Sequence, residues 1–396
     1  MKVDDGLLSA AEKLRDWLLY TGRFIESFEE FVQALGVALQ TFGYEVERLN
    51  LGVYILHPEI AGVAFQWSRE TAGLVMVPVQ HDDLESPTYL QSPIRAVVAN
   101  RQELYLNLGN PSEGSEFPVI DEFRDIGITG YAALPLAGGS GRMNVWSVAT
   151  KKPGGFGEEE WLGLQSFSHY LSLVVDYLAV QWLSGVLMQV YLGQRTGQRV
   201  LNGQVKRGDG HRIHAALWYC DMRDFTELSS QLSSDRLIAV LNDYFGKLGP
   251  AVQNHQGEIL KFIGDAMLAI FPVDSGVDGP AEACERAYLA ARQAVEAVDR
   301  WSTERSMVGE SVIQCGIALH IGEVVYGNIG TPGRLDFTVI GEAVNRVARV
   351  ESLCAPLHAS LLATEEFVEA IGSDAEPVGK HNFKGIDGPV GVYKLG

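Results

Sequence analysis

The chain is poor in cysteine and in basic residues, and both shortages exclude classes of protein. Only four cysteines occur in 396 residues, without a CxxC pair or a histidine at zinc-finger spacing, so a disulfide scaffold and zinc fingers are excluded. Lysine and arginine total 31 against 50 acidic residues, a formal net charge of −19. We therefore expect no nucleic-acid partner, and we expect any phosphate-bearing ligand to be held by a few local cations or by metal ions.

Internal repeats and low-complexity tracts are also absent, and 46% of the residues are hydrophobic. A chain of this length and composition is expected to form two domains with buried cores. A polar stretch over residues 193–210 interrupts the apolar pattern. We predict an N-terminal domain over 1–185, a helical and polar linker over 186–210 and a C-terminal domain over 211–396. The N-terminus carries no secretory signal, and reduced cysteines fit a cytoplasmic protein.

The N-terminal half reads as helices followed by strands. Apolar periodicity predicts helices over 7–19 and 28–42, and alternating runs from Tyr44 to Trp67 predict an antiparallel sheet. Residues 132–136 and 144–150 flank a glycine-rich stretch over 138–141, which predicts a hairpin.

The apolar stretch over 161–192 contains only Asp176 and His169 as ionisable groups, but its glutamines favour a helix outside the membrane over a membrane span. A heptad register places apolar residues at seven of nine seam positions, which predicts a helix that pairs with a partner. A core helix of the N-terminal domain explains the first half equally well, and we expect a helix that starts in the first domain and ends in a dimer contact. The seam positions are Leu164, Phe167, Leu171, Val174, Leu178, Gln181, Gly185, Met188 and Leu192.

The C-terminal half alternates strands and helices. Strands are expected over 215–220, 258–271 (two strands joined at 263–265), 312–320 and 323–329, and helices over 237–255, 281–301 and 342–353. This order predicts an α+β fold with an antiparallel or mixed sheet and helices on one face, close to a doubled βαβ unit.

Several polar residues in this half stand out from their surroundings. Asp221 follows an apolar strand and Asp265 lies in a tight turn, where two carboxylates could hold divalent cations against a triphosphate. An aspartate at a strand end is, however, more often a turn or cap residue. Lys261 interrupts an apolar strand. Asn345 and Arg349 share a helix face. Together they could stabilise an anionic transition state, or the face could simply be solvated.

Four segments in order, over 219–226, 257–265, 316–330 and 336–349, closely resemble the successive motifs of the class III nucleotidyl cyclase catalytic domain. The resemblance covers about residues 211–396 and implies a ferredoxin-like (βαββαβ) fold. It also implies conversion of ATP to 3′,5′-cyclic AMP and pyrophosphate. That chemistry would use two divalent cations, Mg²⁺ or Mn²⁺, at the interface of a homodimer.

The resemblance implies a role for each motif residue. Asp221, Asp265 and the carbonyl of Met222 correspond to the metal ligands, and Asn345 and Arg349 to the transition-state pair. The remaining residues contact the nucleotide: Lys261 and Thr338 at the purine, the turn at Phe225 and Thr226 at the triphosphate, and Lys384 at the terminal phosphates. A threonine at 338 is similar to the bacterial adenylyl cyclase subgroup IIIb.

One position departs from the family pattern. Asp224 occupies a place that is commonly glycine, and a carboxylate there would repel the triphosphate or add a metal ligand. Two alternatives therefore stay open. The chain could be a guanylyl cyclase, or a weakly active or inactive nucleotide-binding scaffold.

The N-terminal half resembles a GAF domain by its layout of helices, antiparallel sheet, hairpin and long terminal helix. This resemblance implies a sensor that dimerises through its helices and binds a small-molecule effector, although no ligand residues can be assigned. A domain that only dimerises and rigidifies the C-terminal half fits the same pattern.

Overall fold

The computed structural model describes residues 9–71, 73–138, 143–273 and 279–396. The chain divides into two compact units, Met1–Leu187 and Met188–Gly396. The division falls two residues beyond the expected end of the first domain. Most of the expected linker belongs to the second unit. Thr196 and Gly197 of this segment are buried, and the Thr196 amide donates to Glu258.

Within its described residues the N-terminal unit has six α-helices, and the first two are well capped. Ser9 and Glu12 form a reciprocal capping box on the first helix, and Ser27 caps the second. The helices are α1 (Ala10–Tyr20), α2 (Phe28–Thr41), α3 (Pro87–Leu90), α4 (Pro93–Asn100), α5 (Pro118–Asp125) and α6 (Glu158–Leu192).

Six antiparallel strands form the sheet of this unit, in the order β3-β2-β1-β6-β5-β4. The expected hairpin is the β5–β6 pair, and residues 139–141 of its turn lie outside the described residues. One face packs against α1, α2 and α6, and the other against α4 and α5. The strands are β1 (Arg48–Tyr54), β2 (Ile60–Ser68), β3 (Gly73–Gln80), β4 (Leu104–Asn107), β5 (Gly130–Ala137) and β6 (Met143–Thr150).

The first half of the seam on α6 lies in the core of the N-terminal unit, as expected for a helix that starts in the first domain. Five of the nine seam residues are at most 6% exposed and belong to the core of their own unit: Leu164, Phe167, Leu171, Val174 and Leu178. The alternative of a core helix is therefore the one observed up to Leu178, because the heptad stripe coincides with the face that covers the sheet. The exposed large apolar side chains of α6 lie on other positions: Leu162, Leu173, Tyr177, Val180, Val190 and Tyr191.

By length and composition, α6 is the one helix in the described part of the chain that could cross a membrane, with 22% of its most apolar window buried. Core helices of domains pass the same test. The buried seam residues identify the first half of α6 as such a helix.

The C-terminal unit is built on an eight-stranded sheet. Its strands are β7 (Gly210–Met222), β8 (Glu258–Ile263), β9 (Ala266–Pro272), β10 (Cys315–Thr331), β11 (Arg334–Ile340), β12 (Leu361–Thr364), β13 (Glu376–His381) and β14 (Val390–Lys394). Its helices are α7 (Gln194–Leu201), α8 (Phe225–Gln231), α9 (Ser234–Asn254), α10 (Pro280–Met307), α11 (Glu342–Glu351) and α12 (Glu365–Ile371).

The central elements β7-α9-β8-β9-α10-β10 follow the expected βαββαβ order. Their strands lie antiparallel in the order β10-β7-β9-β8, and the sheet continues through β12, β14 and β13. The sheet is mixed because β12 runs parallel to β10, and β11 folds back onto the far end of β10.

Helices cover both faces of this sheet, which corrects the expectation of one. Helices α9, α10 and α12 pack on the face of Trp218 and Cys220, and α11 packs on the face of Ala215 and Leu217. Successive residues of a strand point to opposite faces, so a strand that is apolar throughout is buried on both.

Strand β10 is continuous over 17 residues, whereas two strands separated at Gly322 were expected. At Gly322 an added Cβ would lie 2.9 Å from the Cβ of Ala343 and 3.1 Å from Nε2 of His320. The glycine therefore makes room for α11 and the histidine ring rather than breaking the strand.

Candidate active site

Two carboxylates meet where three strands end. Asp221 lies near the end of β7 and Asp265 in the turn between β8 and β9, and β7 pairs with β9 beside them. Burial and the adjacent Asp265 carboxylate raise the pKa of Asp221 to about 7, while the Met222 amide donates to its Oδ1 at 3.1 Å. A proton or a cation between the Asp221 and Asp265 carboxylates would relieve their mutual repulsion.

Glu351, at the end of α11, adds a third negative charge near this pair. Burial, followed by the charge of Asp221, raises its pKa to about 7, and Arg223 opposes the shift. The Arg223 guanidinium donates to the carbonyls of Ala359 and Cys354, at 2.6 and 3.3 Å, which fixes it beside the acids. The combined field favours a cation in front of Asp221.

The donor set here fits Mg²⁺ or Mn²⁺, which prefer carboxylate and carbonyl oxygens. No group of three or more His, Cys, Asp or Glu side chains able to hold a metal ion occurs among the described residues. Two carboxylates and a backbone carbonyl leave coordination positions for other oxygens, such as those of a phosphate.

The turn after β7 holds an unusual backbone conformation. Asp224 precedes α8 with φ 56° and ψ 25°, the left-handed region that glycine adopts most easily. Its side chain is exposed and makes no capping hydrogen bond to α8. Phe225 and Thr226 follow as the first residues of that helix, so the expected phosphate-binding turn is a tight, strained one.

A second group of predicted residues surrounds a cavity of about 310 Å³. Asn345 and Arg349 reach it from one face of α11, and Lys384 from the segment between β13 and β14. Ala348 and Gly385 complete the lining. Asp221 and Asp265 do not line this cavity, so the structure brings the predicted residues together in separate groups.

Lys261 of β8 and Thr338 of β11 form a third group, although β8 pairs with β9 and β11 with β10. The Lys261 ammonium lies 3.3 Å from Asp336 Oδ2, and Asp336 is two residues from Thr338 on β11. Thr338 is 4% exposed, and its hydroxyl has no hydrogen-bond partner in the described ranges. A buried hydroxyl without a partner loses free energy, so this position favours a ligand that would complete it.

Sequence reasoning missed Asp336, Glu351 and Arg223. Asp336 had a usable signal, because residues two apart on a strand share a face and its charge complements that of Lys261. Glu351 and Arg223 had no such signal, since their proximity to Asp221 depends on how α11 packs on the sheet.

The profile of the family described as "Adenylate and Guanylate cyclase catalytic domain" matches residues 212–395. This span contains each of the three groups described above. Residues 212–395 are an adenylate and guanylate cyclase catalytic domain. The two carboxylates, the cavity at Arg349 and the strand that carries Lys261 therefore lie within this domain.

Individual relatives and solved structures are similar to part of the chain. An adenylate cyclase of Anabaena cylindrica is 36% identical over 154 residues, which are 38% of this chain and 29% of that protein. The chain thus spans less than a third of this curated relative. Among solved structures, the adenylyl cyclase CyaB from P. aeruginosa has 25% identity and a TM-score of 0.43, covering 47% of this chain and 95% of that one. The guanylyl cyclase Cya2 has 27% identity and a TM-score of 0.41, covering 47% and 92%.

Proposed function

We propose that the chain is an adenylyl cyclase that converts ATP to 3′,5′-cyclic AMP and pyrophosphate in a homodimer. The observation that carries this proposal is the placement of charges within one cyclase domain. The acidic pair at Asp221 and Asp265 lies outside the cavity lined by Asn345, Arg349 and Lys384. Phosphoryl transfer needs both groups on one nucleotide, and a symmetric dimer supplies each half from a different copy.

In this arrangement each group has one task. Asp221, Asp265 and the Met222 carbonyl would hold two divalent cations, which would lower the pKa of the ribose 3′-hydroxyl and stabilise phosphoryl charge. Arg349 places positive charge at the α-phosphate, where negative charge develops as the 3′-oxygen attacks and pyrophosphate leaves. Asn345 orients the ribose, and Lys384 neutralises the terminal phosphates. The turn at Phe225 and Thr226 holds the triphosphate with its amides.

The preference for adenine follows from Lys261 and Thr338. A lysine ammonium can only donate, so it suits a ring-nitrogen acceptor, while the unpartnered Thr338 hydroxyl accepts from the exocyclic amine. Guanine would leave a donor or acceptor unpaired, at a cost of about 1–3 kcal/mol for each.

For the N-terminal unit we propose a GAF-like regulatory and dimerisation domain. The support is its six-stranded antiparallel sheet with helices on both faces, together with the apolar side chains that α6 exposes beyond its buried stripe. A second copy of α6 would cover Tyr177, Val180 and Tyr191. A small-molecule effector in this unit stays a hypothesis.

The test is to incubate the purified full chain with ATP or GTP and Mn²⁺ and to identify the product by mass spectrometry. We expect cyclic AMP, with kcat/KM for ATP about tenfold or more above that for GTP. Lys261→Ala combined with Thr338→Ala should erode this preference, whereas Lys394→Ala, an exposed lysine on β14, should not. Cyclic GMP as the main product would support the guanylyl alternative, and nucleotide binding without a product would support the scaffold.

A further inference from the structure

Residues 193–209, here named the connector, lie between the end of α6 and the start of strand β7. A sequence-based reading makes this stretch a polar linker, but the structure buries parts of it against the cyclase domain. Its contacts fall on β8 and β10, and those strands carry or adjoin Lys261 and Thr338.

The first contact is a buried polar cluster of three side chains. Thr196 of α7, Glu258 of β8 and Tyr326 of β10 are 1%, 5% and 2% exposed. The Thr196 amide donates to Glu258 Oε1 at 2.9 Å, and the Thr196 and Tyr326 hydroxyls lie 2.7 and 2.9 Å from the same oxygen. The two hydroxyls are 2.7 Å apart. One carboxylate oxygen thus ties the connector to two strands.

This cluster is stable only if hydrogen-bond donors surround the buried Glu258 carboxylate. A buried carboxylate is costly unless donors surround it, and Glu258 Oε2 has no hydrogen-bond partner among the described residues. Burial and the Glu258 charge raise the pKa of Tyr326, so its hydroxyl keeps its proton. Arg199 of α7 stacks over the Tyr326 ring, 4.8 Å from its centroid. The cluster holds only while α7, β8 and β10 keep their relative positions.

The second contact lies further along β10. Asn328 is 4% exposed and forms three hydrogen bonds with the connector. Its backbone amide donates to the Asp209 carbonyl and its side-chain amide to the Gln204 carbonyl, and its own carbonyl accepts from the Gly208 amide. At Gly327 an added Cβ would lie 2.2 Å from the Asp209 carbonyl oxygen. The strand therefore has a glycine where the connector backbone crosses it.

Both contacts lie close in the sheet to Lys261 and Thr338, the residues proposed to recognise the base. Glu258 is three residues before Lys261 on β8, and Gly327 is opposite Thr338 in the β10–β11 ladder. At its other end the connector turns at Gly193, with φ 83°, and Gly197 packs against the backbone of Met188 in the last turns of α6.

We propose that the connector is a positioning element of the cyclase domain, in which Thr196, Glu258 and Tyr326 hold β8 and β10–β11 so that Lys261 and Thr338 meet the purine. This inference rests on the proposed function for its kinetic readout. It assigns the connector to nucleotide affinity and base preference, and none of the contacts given above involves Asp221 or Asp265.

Thr196→Val in the full chain tests this directly, because valine keeps the shape of threonine and removes one donor to Glu258. Tyr326→Phe is the second variant. Thr303→Val is the matched control, since Thr303 is exposed on α10 and its hydroxyl donates to the Asp299 carbonyl of the same helix. We expect KM for ATP to rise about fivefold in each variant of the cluster. The ATP-over-GTP preference should fall, and the Mn²⁺ concentration for half-maximal rate should not change.

Hydrogen exchange gives a readout that does not need turnover. In both cluster variants the amides of β8 and β10–β11 should exchange faster than in Thr303→Val, while those of β12 and β14 should not. Unchanged KM, base preference and exchange in folded Thr196→Val and Tyr326→Phe would overturn the positioning role. Lack of cyclase product from the unmodified chain would instead refute the proposed function, and the exchange result would still decide the inference.

Discussion

The strained turn at Asp224 allows backbone geometry and charge to be separated by two substitutions. Asp224→Gly and Asp224→Ala both remove the carboxylate from the expected triphosphate-binding turn. Only glycine adopts φ 56° without strain, whereas alanine tolerates it less well than aspartate does. The two variants therefore share the loss of the carboxylate and differ in the backbone strain at position 224.

The expected magnitudes follow from the geometry. Left-handed backbone costs a non-glycine residue about 1–2 kcal/mol, and glycine loses about 0.5–1 kcal/mol of this advantage through the entropy of its unfolded state. Asp224→Gly should therefore be more stable than Asp224→Ala by about 1 kcal/mol. Asp224 is exposed, so a phosphate charge about 4 Å away would be repelled by about 1 kcal/mol, or about fivefold in KM.

The assay combines urea unfolding with the KM for ATP in the presence of Mn²⁺. We expect both variants to lower KM by a similar factor, with the glycine variant unfolding at the higher urea concentration. Equal or reversed stabilities would refute the strain argument. A higher KM in both variants would show that Asp224 contributes a ligand to the metal site rather than repulsion.

Two further predictions concern the acids and a buried histidine. Asp221→Asn and Asp265→Asn should each remove nearly all cyclase activity while circular dichroism stays unchanged, and substantial Mn²⁺-supported turnover in Asp265→Asn would contradict the metal assignment. Burial lowers the pKa of His320 to about 4, and its Nδ1 lies 2.8 Å from Thr364 Oγ1. The unfolded chain binds this proton near pH 6.5 and the folded chain only near pH 4. Acidification through that window therefore destabilises the fold, by about 2 kcal/mol at pH 5 relative to pH 7.5. His320→Gln should remove this part of the pH dependence in urea unfolding, and an identical pH profile would refute it.

The motif residues could be placed from sequence because they lie at strand ends and on one helix face. Alternation and turn residues predicted the β8–β9 pair and put Asp265 in its turn, and helical spacing put Asn345 and Arg349 on one face of α11. These are local properties of the chain, so a single sequence carries them.

What sequence reasoning could not supply depends on packing between distant segments. The sequence places Glu258 on a strand but carries no signal for its burial, which results from α7 packing onto it from 62 residues away. The seam of α6 has the same heptad pattern for a partner helix and for its own sheet, so the pattern alone does not choose between them. The sequence also suggests a strand break at Gly322, because the need for a glycine there becomes clear only once α11 is seen to pack against it.

The central claim is that each active site takes its acids from one copy and its arginine from the other, and mixing two inactive variants tests it directly. Asp265→Asn and Arg349→Ala, purified separately and allowed to exchange subunits, should form about half mixed dimers, each with one complete site of two. About a quarter of the unmodified activity should return. A mixture that stays as inactive as its components, after exchange has been shown with labelled subunits, would mean that the site forms within one chain.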